Sequence, residues 1–175
     1  MNMFKNNAKA YHLWNVTGSF GRMSADVVWE GDKAVAKNDK ILINSEIIRY
    51  DDGICVRKGK VKNLSNEEVI LNTISSKFSL DGGEYEVYSQ YNGWQNESMG
   101  AWQSLVSSVS ACSKSIRNAK NAVPFMVLWS QQINRGVAFH LNAYSAWEMR
   151  ISKVYEDQED SSVEIEMGIL MRVSI

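Results

Sequence analysis

The fold is decided by the stretch VEIEMGILMRVSI, residues 163–175, in which apolar side chains occupy every odd-numbered position. Charged side chains such as Glu164, Glu166 and Arg172 lie between them. A period of two sends the two sets to opposite faces of a pleated strand. The pattern therefore predicts a long strand with one face buried in a core and the other at least partly in water.

A second alternating stretch runs from Val137 to Ile151, with apolar residues again at odd-numbered positions and with Trp147 on the apolar face. The tract Tyr144-Ser145-Ala146 interrupts it, so we expect two strands and a core position for Trp147. The intervening segment Glu156–Asp160 is too acidic for a core and is predicted to be a solvated turn.

Shorter strand patterns fill the middle of the chain, at 41–50, 54–61, 69–80, 84–91 and 125–130. Turn sequences separate them, and two of these, Asp51–Gly53 and Asp81–Gly83, are predicted to close hairpins. Further turns are predicted at Asn63–Glu68 and Asn134–Gly136. No long apolar stripe of helical period appears, which favours an all-β fold, an antiparallel sandwich or barrel.

One segment departs from this pattern. Gly93–Asn121 is rich in Ser, Asn and Lys, and we predict long loops that carry a strand around Ala101–Ser107.

The chain has 175 residues and one proline, and no stretch with the composition of a linker divides it, so a single domain is expected over residues 1–175. Because the last strand pattern continues to Ile175 without a polar tail, we expect this domain to be a fragment of a longer protein. A swapped or edge C-terminal strand would give the same pattern.

Composition excludes several classes of function. The net charge is −1, from 19 basic and 20 acidic residues, so neither nucleic acid nor an anionic membrane is expected as a partner. No apolar run approaches the roughly 20 residues of a membrane-spanning helix, and the N-terminus lacks the pattern of a secretory signal.

The metal-binding and nucleophilic residue types are few. Cys55 and Cys112 form neither a disulfide framework nor a CxxC site, and we expect two buried or half-buried thiols in a reducing cytoplasm. His12 and His140 lie far apart, without metal-ligand spacing. We therefore predict no metal, no cofactor and no catalytic residue.

The residues that could contact a ligand cluster in Tyr91–Gln103, which places two indoles, several amides, a carboxylate and glycines in one predicted loop. Aromatic faces stack on the C–H faces of pyranose rings, while amides and carboxylates bind hydroxyl groups. Trp94, Glu97 and Trp102 are therefore candidate sugar-binding residues. The alternative is a structural loop whose tryptophans close the open end of a sandwich.

Several motifs, in their order along the chain, resemble the N-terminal domain of glycoside hydrolase family thirty-six, the α-galactosidase-like enzymes. The resemblance covers roughly residues 50–175, and its matching segments are Val56–Leu64, Val69–Phe78, Gly93–Glu97, Pro124–Leu128, Gly136–Leu141 and Ser145–Trp147. Gly93–Glu97 is similar to the family's Gly-x-Trp-x-x-Glu element. Ala146 departs from the family's Gly-Asn.

The resemblance implies a β-supersandwich akin to galactose mutarotase, followed in the whole enzyme by a barrel that carries both catalytic aspartates. In such enzymes the N-terminal domain supports the barrel, contributes to homo-oligomer contacts and can help wall the pocket for an α-galactoside. Trp94 and Glu97 are the positions at which the resemblance implies that role. Two alternatives remain open: a free-standing carbohydrate-binding module that uses Trp94 and Trp102, and a structural domain for assembly.

Overall fold

The computed structural model describes residues 13–25, 28–93, 96–114, 122–155 and 161–175, and within them it is all-β. Fourteen strands account for this part of the chain, and no helix occurs in it. The predicted antiparallel β-sandwich is confirmed, because every strand pairing is antiparallel and two sheets pack on a third.

The strands are β1 (Leu13–Gly18), β2 (Gly21–Ala25), β3 (Val28–Glu30), β4 (Lys33–Lys37), β5 (Ile41–Arg49), β6 (Cys55–Asn63), β7 (Ile70–Asp81), β8 (Glu86–Gly93), β9 (Asn96–Ser104), β10 (Ser108–Ser113), β11 (Ala122–Ser130), β12 (Arg135–His140), β13 (Ala146–Tyr155) and β14 (Ser161–Ser174). A six-stranded sheet has the order β10-β13-β14-β7-β1-β2. One four-stranded sheet has the order β12-β11-β8-β9, and the other β3-β4-β5-β6.

The predicted C-terminal strand is confirmed as β14, an interior strand paired with β13 and β7. Val163 and Ile165 are buried, at 0% and 1% exposure. On the opposite face, Glu164 pairs with Lys77 at 2.6 Å, and Ser75 donates a hydrogen bond to Glu166 at 2.5 Å. The alternation in the sequence therefore correctly predicts which face of this strand packs in the core and which face contacts solvent.

The predicted break near Tyr144 is also confirmed, and it separates two sheets. β12 ends at His140 in a four-stranded sheet, whereas β13 begins at Ala146 in the six-stranded sheet. Trp147 is buried at 5% exposure, as expected. The acidic segment 156–160 lies outside the described residues.

One of the two predicted hairpins is confirmed. β5 and β6 pair up to Arg49 and Cys55, and Gly53 in the turn has a φ of 84°, a value that favours glycine. The backbone N–H of Ile54 donates to Asp52 Oδ1 at 3.1 Å, which completes the turn.

The hairpin predicted at Asp81–Gly83 is wrong, because β7 lies in the six-stranded sheet and β8 in a four-stranded one. Gly82 and Gly83 lie where the chain passes from the six-stranded sheet to the four-stranded sheet. A Cβ at Gly82 would overlap the backbone of Ser161, at the start of β14. The close approach of that strand therefore accounts for the glycine.

The loops predicted over Gly93–Asn121 are also wrong for the described part of that segment, which forms β9 and β10. Each of these strands lies at the edge of its sheet. An edge strand has more contact with water than an interior strand, so polar residues such as Ser and Asn do not prevent pairing there. The predicted strand at Ala101–Ser107 overlaps the end of β9.

The prediction for the cysteines is wrong as well, since Cys55 and Cys112 are both free and exposed. Cys55 begins β6 and Cys112 lies on β10, and both are edge strands. Val109, Ala111 and Ser113 are the buried residues of β10, and the last two flank Cys112.

The core consists of two clusters on the six-stranded sheet. The larger cluster lies between that sheet and the β12-β11-β8-β9 sheet, and its fully buried members are Leu80, Val87, Met126, Leu128, Met149, Ile151, Val163 and Ile165. The smaller cluster lies against the β3-β4-β5-β6 sheet and contains Val16, Ala34, Ala36, Ile41, Ile43, Val69 and Leu71.

β7 contributes to both clusters along one face. Its even-numbered residues Phe78 and Leu80 lie in the larger cluster and Ile74 packs against the smaller one, but near its start the core residue is the odd-numbered Leu71. The pairings of β7 with β1 and with β14 both shift register next to Leu71. A bulge of this kind changes which residues face the core.

Arg57 on β6 lies near the six-stranded sheet and donates a hydrogen bond from Nη1 to Ser76 Oγ on β7. Burial of the guanidinium lowers the pKa of Arg57 to about 10. This buried cation is therefore part of the interior of the sandwich and is not available as a surface charge.

Candidate functional site

The candidate site is the side of the β12-β11-β8-β9 sheet that faces away from the larger cluster. We call this surface the aromatic face and define it by Tyr88, Gln90, Trp102, Val127 and Trp129. Strand alternation sets it, because the neighbouring residues Val87, Met126 and Leu128 are fully buried on the other side. The same strands thus carry a closed aliphatic surface and an open aromatic one.

The centre of the aromatic face is a pair of rings on neighbouring strands that contact each other in a tilted arrangement. Tyr88 on β8 lies opposite Trp102 on β9, and their ring centroids are 5.3 Å apart at an interplanar angle of 47°. Aromatic rings at this distance attract each other. Trp102 nevertheless remains 51% exposed, so the indole is held in place while much of it still contacts solvent.

Gly100 fixes the position of the Tyr88 ring. A Cβ at Gly100 would overlap Cζ, Cε2 and the hydroxyl oxygen of Tyr88, so the ring lies over the glycine. Gln90 Nε2 donates a hydrogen bond to the Tyr88 hydroxyl at 3.1 Å. The hydroxyl end of the phenol is therefore positioned by both Gly100 and Gln90, and the amide group of Gln90 lies beside it.

Polar groups border the rings. Glu86, two residues before Tyr88, points to the same side of β8, and Gln131 Nε2 donates a hydrogen bond to its carboxylate at 3.2 Å. Carboxylate and amide groups beside exposed rings are the combination that binds sugar hydroxyls and sugar C–H faces together.

The three candidate residues from the sequence have different outcomes. Trp102 is on the aromatic face. Trp94 lies outside the described residues, and Glu97 is in β9 with only its backbone described.

The segment that carries them is a strand pair, although the sequence predicted one loop. β8 and β9 pair from Glu86↔Ser104 to Gly93↔Asn96. Sequence reasoning also missed Tyr88 and Trp129 as site residues. The pattern that could have identified them is strand alternation, because each of the two directly follows a buried aliphatic residue on its own strand.

Other chemistry is limited in the described part of the chain. No group of three or more His, Cys, Asp or Glu residues there could hold a metal ion. His140 is exposed at the end of β12, while His12 lies outside the described residues. No helix in these ranges is long and apolar enough to cross a membrane.

A second surface feature is a group of exposed lysines on the β3-β4-β5-β6 sheet. Lys33 and Lys58 both lie opposite Glu46 on β5, and Lys60 and Lys62 follow Lys58 on β6. β6 is an edge strand, and lysines on an edge prevent pairing with other chains. This protective role is sufficient to explain the group.

Comparisons with protein-family models, with curated proteins and with solved structures found no match to this chain.

Proposed function

We propose that this chain is a non-catalytic, sugar-contacting domain of an α-galactosidase-like glycoside hydrolase. The observation that carries the sugar-contacting role is the Trp102–Tyr88 pair, which presents a half-exposed indole on an open sheet face. The parent enzyme class rests on the ordered motifs between residues 50 and 175. In that enzyme the domain supports the catalytic barrel, takes part in homo-oligomer contacts and can wall the sugar pocket.

Direct binding tests the sugar-contacting role. We expect millimolar galactosides to change the tryptophan fluorescence of the purified chain, because a sugar that stacks on Trp102 removes water from its indole. Trp102→Ala should weaken binding about tenfold, a factor that corresponds to about 1.4 kcal/mol. The matched control is Tyr144→Ala, which removes an aromatic ring that is 80% exposed outside the aromatic face.

An unchanged fluorescence spectrum, together with no heat of binding in calorimetry, would contradict the sugar-contacting role. Equal weakening by Tyr144→Ala and Trp102→Ala would contradict its assignment to the aromatic face.

Two further measurements test the parent enzyme. The gene should continue past Ile175 into a barrel domain with two active-site aspartates, and a stop codon at that point would contradict the proposal. The chain alone should not hydrolyse a nitrophenyl α-galactoside, since the bond-breaking carboxylates are proposed to lie in the barrel. Turnover by the purified chain would overturn the non-catalytic assignment.

A free-standing carbohydrate-binding module is the second candidate. It is favoured by one observation: Tyr88, Gln90 and Trp102 all come from this chain, so the aromatic face needs no other domain to form. Sugar binding by a chain whose gene ends at Ile175 would support this candidate over the first.

We also propose a cytoplasmic location. Cys55 and Cys112 are exposed free thiols, a state that a reducing compartment maintains. Fractionation of the native cells tests this location.

A further inference from the structure

The aromatic face carries a second indole, Trp129 on β11, apart from the Trp102–Tyr88 pair. Trp129 lies opposite Glu86, and Glu86 in turn lies opposite Ser104. Trp102 therefore lies two strands away from Trp129 and two residues further along the strand direction. With strand spacings of about 4.8 Å and a rise of about 3.4 Å per residue, the two Cα atoms are about 12 Å apart.

A glycine also makes room for this second indole. Gly136 on β12 lies opposite Trp129, and a Cβ there would approach Trp129 Cε3 to 2.6 Å. The ring therefore lies over Gly136, as the Tyr88 ring lies over Gly100. Glycine is disfavoured within strands, so its presence beneath both rings needs a reason, and the close approach of each ring supplies one.

Trp129 is half-buried, so part of its indole still contacts solvent. Its neighbours on β12 are small, Gly136 and the exposed Ala138, whereas Glu86 on β8 lies opposite it on the other side. A planar ligand can therefore approach the indole from the β12 side without meeting a bulky side chain. Stacking on a ring face is the contact that a pyranose makes.

Between the two indoles lies a polar group. Glu86 is adjacent to Trp129 across the β8–β11 pair and precedes Tyr88 by two residues on the same face. Its carboxylate accepts a hydrogen bond from Gln131 at 3.2 Å, which orients it on the surface. A carboxylate accepts hydrogen bonds from hydroxyl groups and repels anionic sugars.

We infer that the aromatic face has two sugar subsites, Trp102 with Tyr88 and Trp129 with Glu86, and that its ligand is a neutral oligosaccharide of three or more units. The two Cα atoms lie further apart than one pyranose ring spans, and the Trp129 ring lies over Gly136, on the side away from β8 and β9. A single sugar therefore cannot stack on both indoles. A trisaccharide places its end units on the two subsites and its middle unit between them. This inference rests on the proposed sugar-contacting role and specifies the length and charge of the ligand.

The test is a calorimetric series with galactose and neutral α-linked galactosides of two, three and four units. For the unaltered chain we expect the affinity to rise about tenfold between one unit and three, because both subsites are then filled. Trp129→Ala should remove that rise and leave the affinity for galactose within about twofold, whereas Trp102→Ala should weaken every ligand. These factors correspond to about 1.4 and 0.4 kcal/mol. Tyr144→Ala is the control, and circular dichroism confirms that each variant folds.

A second measurement follows binding to the unaltered chain and uses variants only to assign the resonances. In a proton–nitrogen NMR spectrum, the tetrasaccharide should shift the indole N–H resonances of both Trp102 and Trp129, and each resonance is assigned by its loss in a tryptophan-to-phenylalanine variant. A uronic-acid oligomer of the same length should shift neither.

Equal affinity for all lengths, or unchanged length dependence in Trp129→Ala, would overturn the two-subsite inference while the single-site proposal stands. Absence of binding by every saccharide would overturn both.

Discussion

The two faces of the β12-β11-β8-β9 sheet differ in chemistry although the same strands form them. Val87, Met126 and Leu128 on the inner face are aliphatic or sulfur-containing and fully buried. Trp102 on the outer face is aromatic and half exposed. Consecutive residues of one strand, such as Leu128 and Trp129, therefore have separate roles, the first in stability and the second in the proposed ligand contact.

The two faces have separate roles because the six-stranded sheet covers only the inner face. Aliphatic side chains are stabilised by close packing on all sides. Aromatic side chains can be stabilised on one side by a neighbouring ring or a glycine and still leave the other side open. Stability and binding should then respond to different substitutions.

The largest effect should come from the inner face. Leu128→Ala removes a fully buried side chain and should lower the free energy of unfolding by about 2–5 kcal/mol, through lost burial and the cavity left behind. Urea denaturation measures this change. Galactoside affinity, measured where the variant is still folded, should be unchanged. A loss below about 1 kcal/mol would contradict the core position of Leu128.

A smaller effect is expected beneath the second indole. Gly136→Ala places a Cβ 2.6 Å from Trp129 Cε3 and 3.0 Å from the carbonyl oxygen of Leu128. The ring must move, and we expect a loss of stability of about 1–2 kcal/mol together with weaker binding of trisaccharides. The control Ala138→Ser changes an exposed residue on the same side of β12 and should alter neither quantity. Retained stability and binding in Gly136→Ala would show that the close approach of the Trp129 ring to Gly136 is not required.

Tyr85 is a polar residue among the buried side chains of the inner face, and its hydroxyl donates a hydrogen bond to the carbonyl of Asp81 at 2.9 Å. Tyr85→Phe should reduce stability by about 1 kcal/mol at neutral pH. Thermal denaturation of both proteins measures this loss.

The same variant tests the pH dependence of stability. Burial, and secondarily the charge of Asp81, raise the pKa of Tyr85 above its usual value of 10.0. Because the folded state holds this proton more tightly than the unfolded state, the stabilisation is complete below pH 10 and is lost as the pH rises through the folded pKa. The difference in melting temperature between parent and variant should therefore shrink as the pH is raised from about 8 to about 11. A constant difference would contradict the assignment.

The smallest effect on stability should come from Trp102. Since its indole is 51% exposed, Trp102→Ala should change the free energy of unfolding by less than about 1 kcal/mol, the range of a ring pair at the surface. The same variant should lose about tenfold in galactoside affinity. Loss of stability comparable with that of Leu128→Ala would remove the distinction between the two faces.

The sequence predicted the strands whose two faces meet different environments. β14 and β13 were predicted from alternation because one side of each packs in the core, and the break before Ala146 followed from the interruption of that pattern. β10 and the first part of β9 were missed as strands since their edge positions relax the requirement for apolar residues, whereas the end of β9 overlaps the strand predicted at Ala101–Ser107. The hairpin at Asp81–Gly83 was wrong because a turn sequence indicates a change of direction and does not specify which strands pair.

The site was predictable only in part for the same reason. Trp102 was identified from its aromatic and polar surroundings in the chain. Its contact with Tyr88 depends on the β8–β9 register, and the position of Trp129 depends on the β8–β11 register. The β8–β11 pairing joins segments that are distant in the chain, and the β8–β9 register requires a strand where a loop was predicted, so local patterns carry little information about either contact.

The shared use of β7 and β14 by both core clusters has a consequence for unfolding. Leu71, near the start of β7, packs in the smaller cluster, and Leu80, near its end, packs in the larger one. Ile175, which follows β14, exchanges backbone hydrogen bonds with Val69 of the smaller cluster. If either cluster melts, one end of the hydrogen-bonded ladder between β7 and β14 is freed, and that ladder also supports the other cluster. The described sheets should therefore unfold as one cooperative unit. A saccharide bound only to the aromatic face should then protect amide hydrogens as far away as β5 from exchange.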